Sequence, residues 1–277
     1  MHRDFAFALR QLSTNLRFSL IIVFTLALGI GATTAIFSVV SGVLLRALPF
    51  PNPERLISLQ TKMFPQGEAA TKDAGAGTIE DVSFPDFFDW RSQTHTLDAI
   101  ASYAYGTTRK FTPPGNKPST MVEVEYVSAD FFRVLGVTPM LGRSFVLDDE
   151  RDDSRPIILS HQFWESEFRS SPDIVGKHIT VSDRLATVVG VMPAGFSFPD
   201  LSHPPSFWGT FWRASASAVS VIGSPQKEAV SLAAERTDRA VQVVGRLKPD
   251  VSVVQARAEM NAIHLWCGEG SSWPQLV

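Results

Sequence analysis

Hydrophobic and polar positions divide this chain at Leu45. Phe18 to Leu45 is a run of 28 residues without a charge, sixteen of them Leu, Ile, Val or Phe, bounded by Arg17 and Arg46. A helix needs about 20 such residues to cross a bilayer. At roughly −0.3 to −0.6 kcal/mol each near a helix centre, the sixteen large residues favour insertion by about 5 to 10 kcal/mol. A cleaved signal peptide would have an apolar region of only about 7–15 residues followed by a small-x-small site. Here the run ends in Val43-Leu44-Leu45-Arg46. The pattern predicts one retained transmembrane helix over 18–45.

After the run the period changes. Pro49, Pro51 and Pro53 end the helix and impose extended chain. Leu56 to Thr61 reads as a strand, and Gln66 to Gly77, rich in Gly and Ala without periodicity, as a loop. Ser83-Phe84-Pro85-Asp86 reads as a helix start, with a capping serine, a proline tolerated in the first turn and an acid at the positive end. Leu97 to Tyr103 reads as a second short helix. Met121 to Val127 alternates apolar and acidic residues and predicts a half-buried strand. Ser128-Ala129-Asp130 caps a helix over Phe131 to Leu135 that Gly136 closes.

Ile157 to Leu159 is a short buried strand, and Ser160 caps a helix carrying Phe163, Trp164 and Phe168. His178 to Val181, a Ser182-Asp183 turn and Leu185 to Val191 form a hairpin. Pro204 to Arg239 reads as a long surface loop. Val241 to Leu247 is a strand; Ser252 with Gln255 then makes a capping box, and Val254, Ala258, Ala262 and Leu265 line one face of the helix behind it. Strands and helices are mixed rather than alternating, so the fold class is α+β. One N-terminal transmembrane helix is followed by a mixed α/β extracytoplasmic domain over 50–265, with a segment 1–17 before the span and an atypical tail over 266–277.

Charge orients the span. Arg3, Arg10 and Arg17 face the single acid Asp4 before it, while Arg46, Glu54 and Arg55 follow it. The positive-inside bias puts the N-terminus in the cytoplasm and the bulk of the chain outside it, with a single pass through the membrane. The three arginines share a helical face opposite Phe5, Leu9, Leu12 and Leu16. Such a helix lies in the lipid headgroup layer, the alternative being a plain extension of the membrane helix. Within the span, Ala27, Gly31 and Ala35 recur at four-residue spacing, as do Thr34, Ser38 and Gly42. Small residues on a common face admit a second helix, from another span or from a second copy. Net charge of −3 argues against a nucleic-acid partner, and the single cysteine, Cys267, excludes an internal disulfide.

Catalytic patterns are poor. Gly176-Lys177-His178 resembles part of a phosphate loop, but Ser171 stands where a glycine is needed and His178 where Ser or Thr is needed. Ser224-Pro225-Gln226-Lys227 has the Ser-x-x-Lys spacing of penicillin-binding enzymes without their companion motifs. Six dispersed histidines offer no ligand spacing. Asp148, Asp149, Glu150, Asp152 and Asp153 read as a solvated turn, with a calcium site as the alternative. No catalytic residue, cofactor or metal is expected. Phe207, Trp208, Phe211 and Trp212 flank the long loop and are candidates for an exposed apolar patch contacting a partner or hydrophobic substrate.

Taken in order, several stretches resemble one family. Ala8-Leu9-Arg10-Gln11-Leu12, Leu26-Ala27-Leu28-Gly29-Ile30-Gly31-Ala32 and Leu44-Leu45-Arg46 look like the first membrane helix of MacB/FtsX-type ABC transporter permeases. Phe84-Pro85-Asp86-Phe87, Val127 to Val137, Leu141-Gly142-Arg143-Ser144-Phe145, Val188 to Phe196 and Val244-Gly245-Arg246-Leu247-Lys248-Pro249 resemble that family's periplasmic core domain. The resemblance implies a non-catalytic permease component whose periplasmic domain, with porter and sabre parts, is coupled to a separate ABC ATPase subunit. It also implies three further spans, which the sequence after Ile263 does not supply, so the chain reads as truncated. The competing reading is a single-span anchored periplasmic binding or sensor module that acts without an ATPase.

Overall fold

The computed structural model describes residues 16–44, 50–63, 78–104, 106–115, 117–151, 154–199, 203–215, 218–220, 239–267 and 272–276. The chain divides into two units, residues 1–49 and 50–277. In the first, helix α1 (Leu16–Leu44) runs 29 residues, about 43 Å at 1.5 Å per residue. Its threonines satisfy themselves: Thr25 and Thr33 donate to Ile21 O and Gly29 O, one turn back, each at 2.8 Å. Leu20, Ile21, Phe24, Leu28, Ile30 and Phe37 are exposed along it. Among the described residues no helix is long and apolar enough to cross a membrane. The side chains of residues 18, 19, 22, 23, 36 and 39–44 fall outside that description and interrupt the run, so the case for a crossing rests on sequence. The headgroup-layer segment falls outside the described residues up to Asn15.

In the second unit, β1 (Leu56–Met63), β2 (Thr78–Glu80) and β3 (Val82–Ser83) precede α2 (Phe84–Gln93). Strands β4 (Leu97–Tyr103), β5 (Thr107–Thr112) and β6 (Thr120–Val127) lead to α3 (Phe131–Leu135). After β7 (Leu141–Gly142) and β8 (Pro156–Leu159) come α4 (His161–Phe168), β9 (His178–Val181), β10 (Arg184–Val191) and β11 (Phe207–Thr210). A small hairpin, β12 (Trp212–Ser215) with β13 (Ala218–Ser220), and then β14 (Arg239–Leu247), α5 (Val253–Cys267) and β15 (Ser272–Leu276) complete the order.

Local chemistry explains the boundaries. Asp86 N donates to Ser83 Oγ at 3.2 Å at the start of α2, and Phe163 N to Ser160 Oγ at 3.3 Å at the start of α4. The Ser252–Gln255 capping box forms, with Ser252 N donating to Gln255 Oε1 and Gln255 N to Ser252 Oγ. Ser182 and Asp183, at φ 46° and 62°, make the two-residue left-handed turn that joins β9 to β10.

The strands form two regions. Six of them close a ring: β5 pairs β6, β6 pairs β11, β11 pairs β8, β8 pairs β10, β10 pairs β9, and β9 returns to β5. All six send residues to one apolar cluster, among them Phe111, Val124, Phe207, Leu159, Val188 and Val181, which fills the ring. The other region is an open sheet in which β4, β14 and β1 are successive antiparallel neighbours. Its two faces belong to different clusters: Ile100 packs with α2 and α5 residues, and Ala99 and Ala101 with α3 residues. Both apolar clusters hold residues of ring and open sheet, but strand pairing joins the two only at a narrow seam, where β4 pairs β6 through Tyr103 and Val127. There Ser102 N donates to Ser128 Oγ at 2.9 Å and Ser128 N to Ser102 O at 2.8 Å.

Three sequence expectations are corrected. Leu97 to Tyr103 is a strand, not a helix, because it is covered on both faces and so lacks an alternating pattern. Pro204 to Arg239 is not a loop throughout: Phe207 to Thr210 is a fully buried ring strand. In α5 the buried stripe is Ala256, Met260 and Ile263, while Val254 is 75% exposed. The tail expected to be atypical supplies β15, antiparallel to β1.

Candidate functional site

The chain enters the second unit at Phe50, where two arginines grip it from opposite directions. Arg246, near the end of β14, donates through Nε to Val134 O at 2.6 Å and through Nη1 to Pro51 O at 2.9 Å and Asn52 O at 3.3 Å. Arg55, just past the entry turn, donates back through Nε and Nη2 to Leu247 O at 2.8 and 2.5 Å. Asn52 turns in the left-handed region, φ 48°. Phe50 anchors the same segment, with its ring edge-on to Phe198 at 5.5 Å. Entry turn, helix α3 and strand β14 are thereby locked together.

Arg246 is only 6% exposed, has no carboxylate against it, and leaves Nη2 without a partner among the described residues. Burial pushes its pKa down, and the nearby Arg55 charge adds to this, while Asp98 and Glu54 oppose it. Its compensation is carbonyl oxygen, including Val134 O at the negative end of α3. Gly136, at φ 71°, is required beside it: a Cβ there would lie 3.3 Å from Pro51 Cγ and 3.4 Å from Arg246 Nη2.

Helix α5 is held by Glu259. Its carboxylate accepts from Thr94 Oγ1 at 3.0 Å, His95 N at 2.8 Å, Thr96 N at 3.0 Å and also from Thr96 Oγ1. Partial burial alone would raise its pKa; these donors outweigh that and hold it below the usual carboxylate range. The turn between α2 and β4 is thus tied to α5.

The acidic turn is corrected at two positions; Asp148 is exposed as expected, and Asp152 and Asp153 lie outside the described residues. Asp149 and Glu150 are buried, not solvated. Asp149 takes both Nη atoms of Arg143, at 2.6 and 2.8 Å. Glu150 accepts from Arg91 at 3.0 Å and from Ala129 N at 2.9 Å, joining α2 to the start of α3. Among the described residues no acid, His or Cys group is placed to hold a metal ion.

The expected aromatic patch is also corrected. Phe207 and Trp208 are 0% exposed and Phe211 is 4% exposed. Trp208 donates Nε1–H to Phe198 O at 3.1 Å and packs on Phe132 and Phe196, and Phe211 packs edge-on against Phe84 at 5.0 Å. Aromatic residues beside a polar stretch looked like surface; they are ring and core instead. The side chain of Trp212 and the Ser224/Lys227 pair lie outside the described residues. On α1, Ala27, Gly31, Thr34, Ala35 and Ser38 are exposed, Gly42 lies one turn beyond Ser38, and nothing approaches within 4 Å of where a Gly31 Cβ would stand.

Sequence reasoning did not single out Arg246, Arg55 or Glu259. Arg246 sits in the Val244-to-Pro249 stretch that resembles the family, which was the available signal. Its burial depends on α3 packing across the strand, a contact 112 residues away in sequence.

A cleft of about 470 Å³ opens at one mouth of the ring. It lies where Pro113-Pro114, lacking backbone donors, stop β5 from continuing its pairing with β9. Phe168, Ile174 and Ile179 line it along with Arg169 and Lys177.

The model of the MacB-like periplasmic core domain matches residues 19–263. Among solved structures, a domain assigned to a permease protein from Porphyromonas gingivalis is similar at TM-score 0.57 and 15% identity, covering 83% of this chain and 92% of that one. The periplasmic region of MacB from Actinobacillus actinomycetemcomitans is similar at TM-score 0.50 and 14% identity, covering 78% and 87%. No curated protein matches. The ring, the open sheet and the helices between them therefore have solved counterparts, and the chain belongs to the MacB-like periplasmic core domain family of ABC-type transporter permeases.

Proposed function

We propose that this chain is the permease component of an ABC-type export or mechanotransmission complex, non-catalytic in itself, coupling a cytoplasmic ATPase on another chain to an extracytoplasmic domain. The observation that carries the reading is the family match itself, which spans residues 19–263, from inside the apolar run to helix α5. Helix α1 crosses the inner membrane once with its N-terminus inside, and residues 50–265 lie outside. Its small-residue face receives other permease helices or a second copy. The Arg246–Arg55 clasp supports coupling, because a signal passing along a chain needs a stiff joint where the chain enters the folded unit.

Reporter fusions after residue 265 test the topology: alkaline phosphatase active and green fluorescent protein dark is the expected result, and the reverse sinks it. Reconstitution with an ABC ATPase subunit that co-purifies with this chain tests coupling. The ATP hydrolysis rate should fall severalfold on Arg246→Ala with complex assembly intact; an unchanged rate favours an anchored module that works alone.

A further inference from the structure

We propose that the cleft at the ring mouth is a binding site for a small amphipathic anion, a carboxylate carried on an aromatic or aliphatic body. The proposal does not rest on coupling to an ATPase. Its volume, about 470 Å³, falls in the ordinary range for small-molecule sites, and mouths of β-barrels are among the places such sites occur. The floor is apolar: the partly buried Phe168 and the exposed Pro114 give an apolar body surface to cover, with the buried Ile174 and Ile179 packed beneath.

The rim is cationic from two sides. Arg169 arrives from the end of α4 and Lys177 from the turn into β9. Among the described residues neither side chain has a hydrogen bond or ion pair. The one acid lining the cleft, Glu167, is faced by Lys117 at 3.6 Å. A net positive rim over an apolar floor therefore occurs on a chain of net charge −3.

Arg169 also sits in the left-handed region, φ 53°, followed by Ser170 at φ 54°. Glycine would hold that helix-ending position with less strain. A basic residue at a helix end does answer the helix dipole, but the dipole alone accounts for neither Lys177 nor the open apolar floor.

The test uses the full chain in lipid nanodiscs, with 2-naphthoate as probe and empty nanodiscs subtracted. Comparators are 2-naphthalenemethanol, 2-naphthylmethylammonium and inorganic phosphate, which separate charge, body and bare anion. Saturation-transfer NMR and titration should show naphthoate bound about tenfold tighter than the alcohol, with phosphate and the cation weaker still. R169Q/K177Q should lose about tenfold in affinity with unchanged thermal unfolding, since both residues are exposed. E167Q, by removing the acid, should bind naphthoate more tightly, an outcome a purely structural role would not produce. Equal binding of all three naphthalenes, no naphthoate binding, or retention of affinity in the double variant overturns the proposal.

Discussion

The ring and the open sheet share one folded unit yet solve different problems. The ring has no free edge: each of its six strands is paired on both sides, and its side chains fill it. The open sheet has edges, and it is the part to which the ends of the unit attach. The entry turn is clasped to β14 and α3, and α5 is tied to the turn before β4. Strand pairing joins ring and sheet only at the short seam by Tyr103, Val127, Ser102 and Ser128, while side chains of both regions share two apolar clusters. Closure gives the ring rigidity, whereas the sheet has the attachments.

The sharpest way to break the ring is Gly142→Ala. At φ 75°, a Cβ on residue 142 would stand 2.1 Å from Val189 O and 2.8 Å from Gly190 Cα. Backbone would have to separate where β7 meets β10. The expected loss is about 4 kcal/mol or more, read as a shift in urea unfolding of the full chain in detergent. A wild-type midpoint would show that ring strand β10 tolerates a gap where β7 lies against it.

Arg246→Ala attacks the open sheet. The carbonyls of Val134, Pro51 and Asn52 each lose the Arg246 donor, Asn52 O keeping only Arg55 N, and a buried volume empties, at a cost of about 3 kcal/mol. Hydrogen exchange should speed at Arg55 and Val137, with ring amides at Val181 and Val188 unchanged. Equal acceleration in both regions would show that they are not separable. Arg246→Met, which fills space without charge, should recover part of the loss.

What the sequence revealed follows the same division. Caps at Ser83, Ser160 and Ser252, the Gly136 stop and the Ser182-Asp183 turn are local chemistry, and the structure matches each. β4 and β11 were misread because both are buried on two faces, leaving no alternation to see. The closed ring was not legible, since the β6–β11 pairing joins Val124 to Phe207 across a long stretch of chain. Resemblance gave the family; neither it nor periodicity gave the clasp, because a buried arginine bonded to carbonyls has no partner of opposite charge to suggest it.

The seam itself is probed by Ser128→Ala. Ser128 is 1% exposed and its hydroxyl oxygen accepts from the Ser102 amide at 2.9 Å. Removing it leaves a buried N–H unpaired, a cost of about 1–2 kcal/mol. The Ser102 amide should exchange faster while both regions keep their own protection. That pattern would establish the seam as a hinge line; loss of protection throughout β6 would show that ring and sheet unfold as one.

The smallest effect is expected at Glu259, the tie on α5, and it should depend on pH. Its folded pKa lies below the usual carboxylate value because Thr96, His95 and Thr94 donate to the ionised form. A depressed carboxylate contributes stability that is fully present above the unfolded pKa, about 4.5, and is lost as pH falls through the lower folded value. Glu259→Gln should therefore cost about 1 kcal/mol at neutral pH, the charge-assisted part of four hydrogen bonds discounted for solvent screening. Below that lower folded value the two proteins should converge. Exchange of the His95 and Thr96 amides, measured at pH 7 and again in acid, reads this directly. A difference that persists undiminished in acid would mean that shape at the α2–β4 turn, not the carboxylate charge, holds α5 to the sheet.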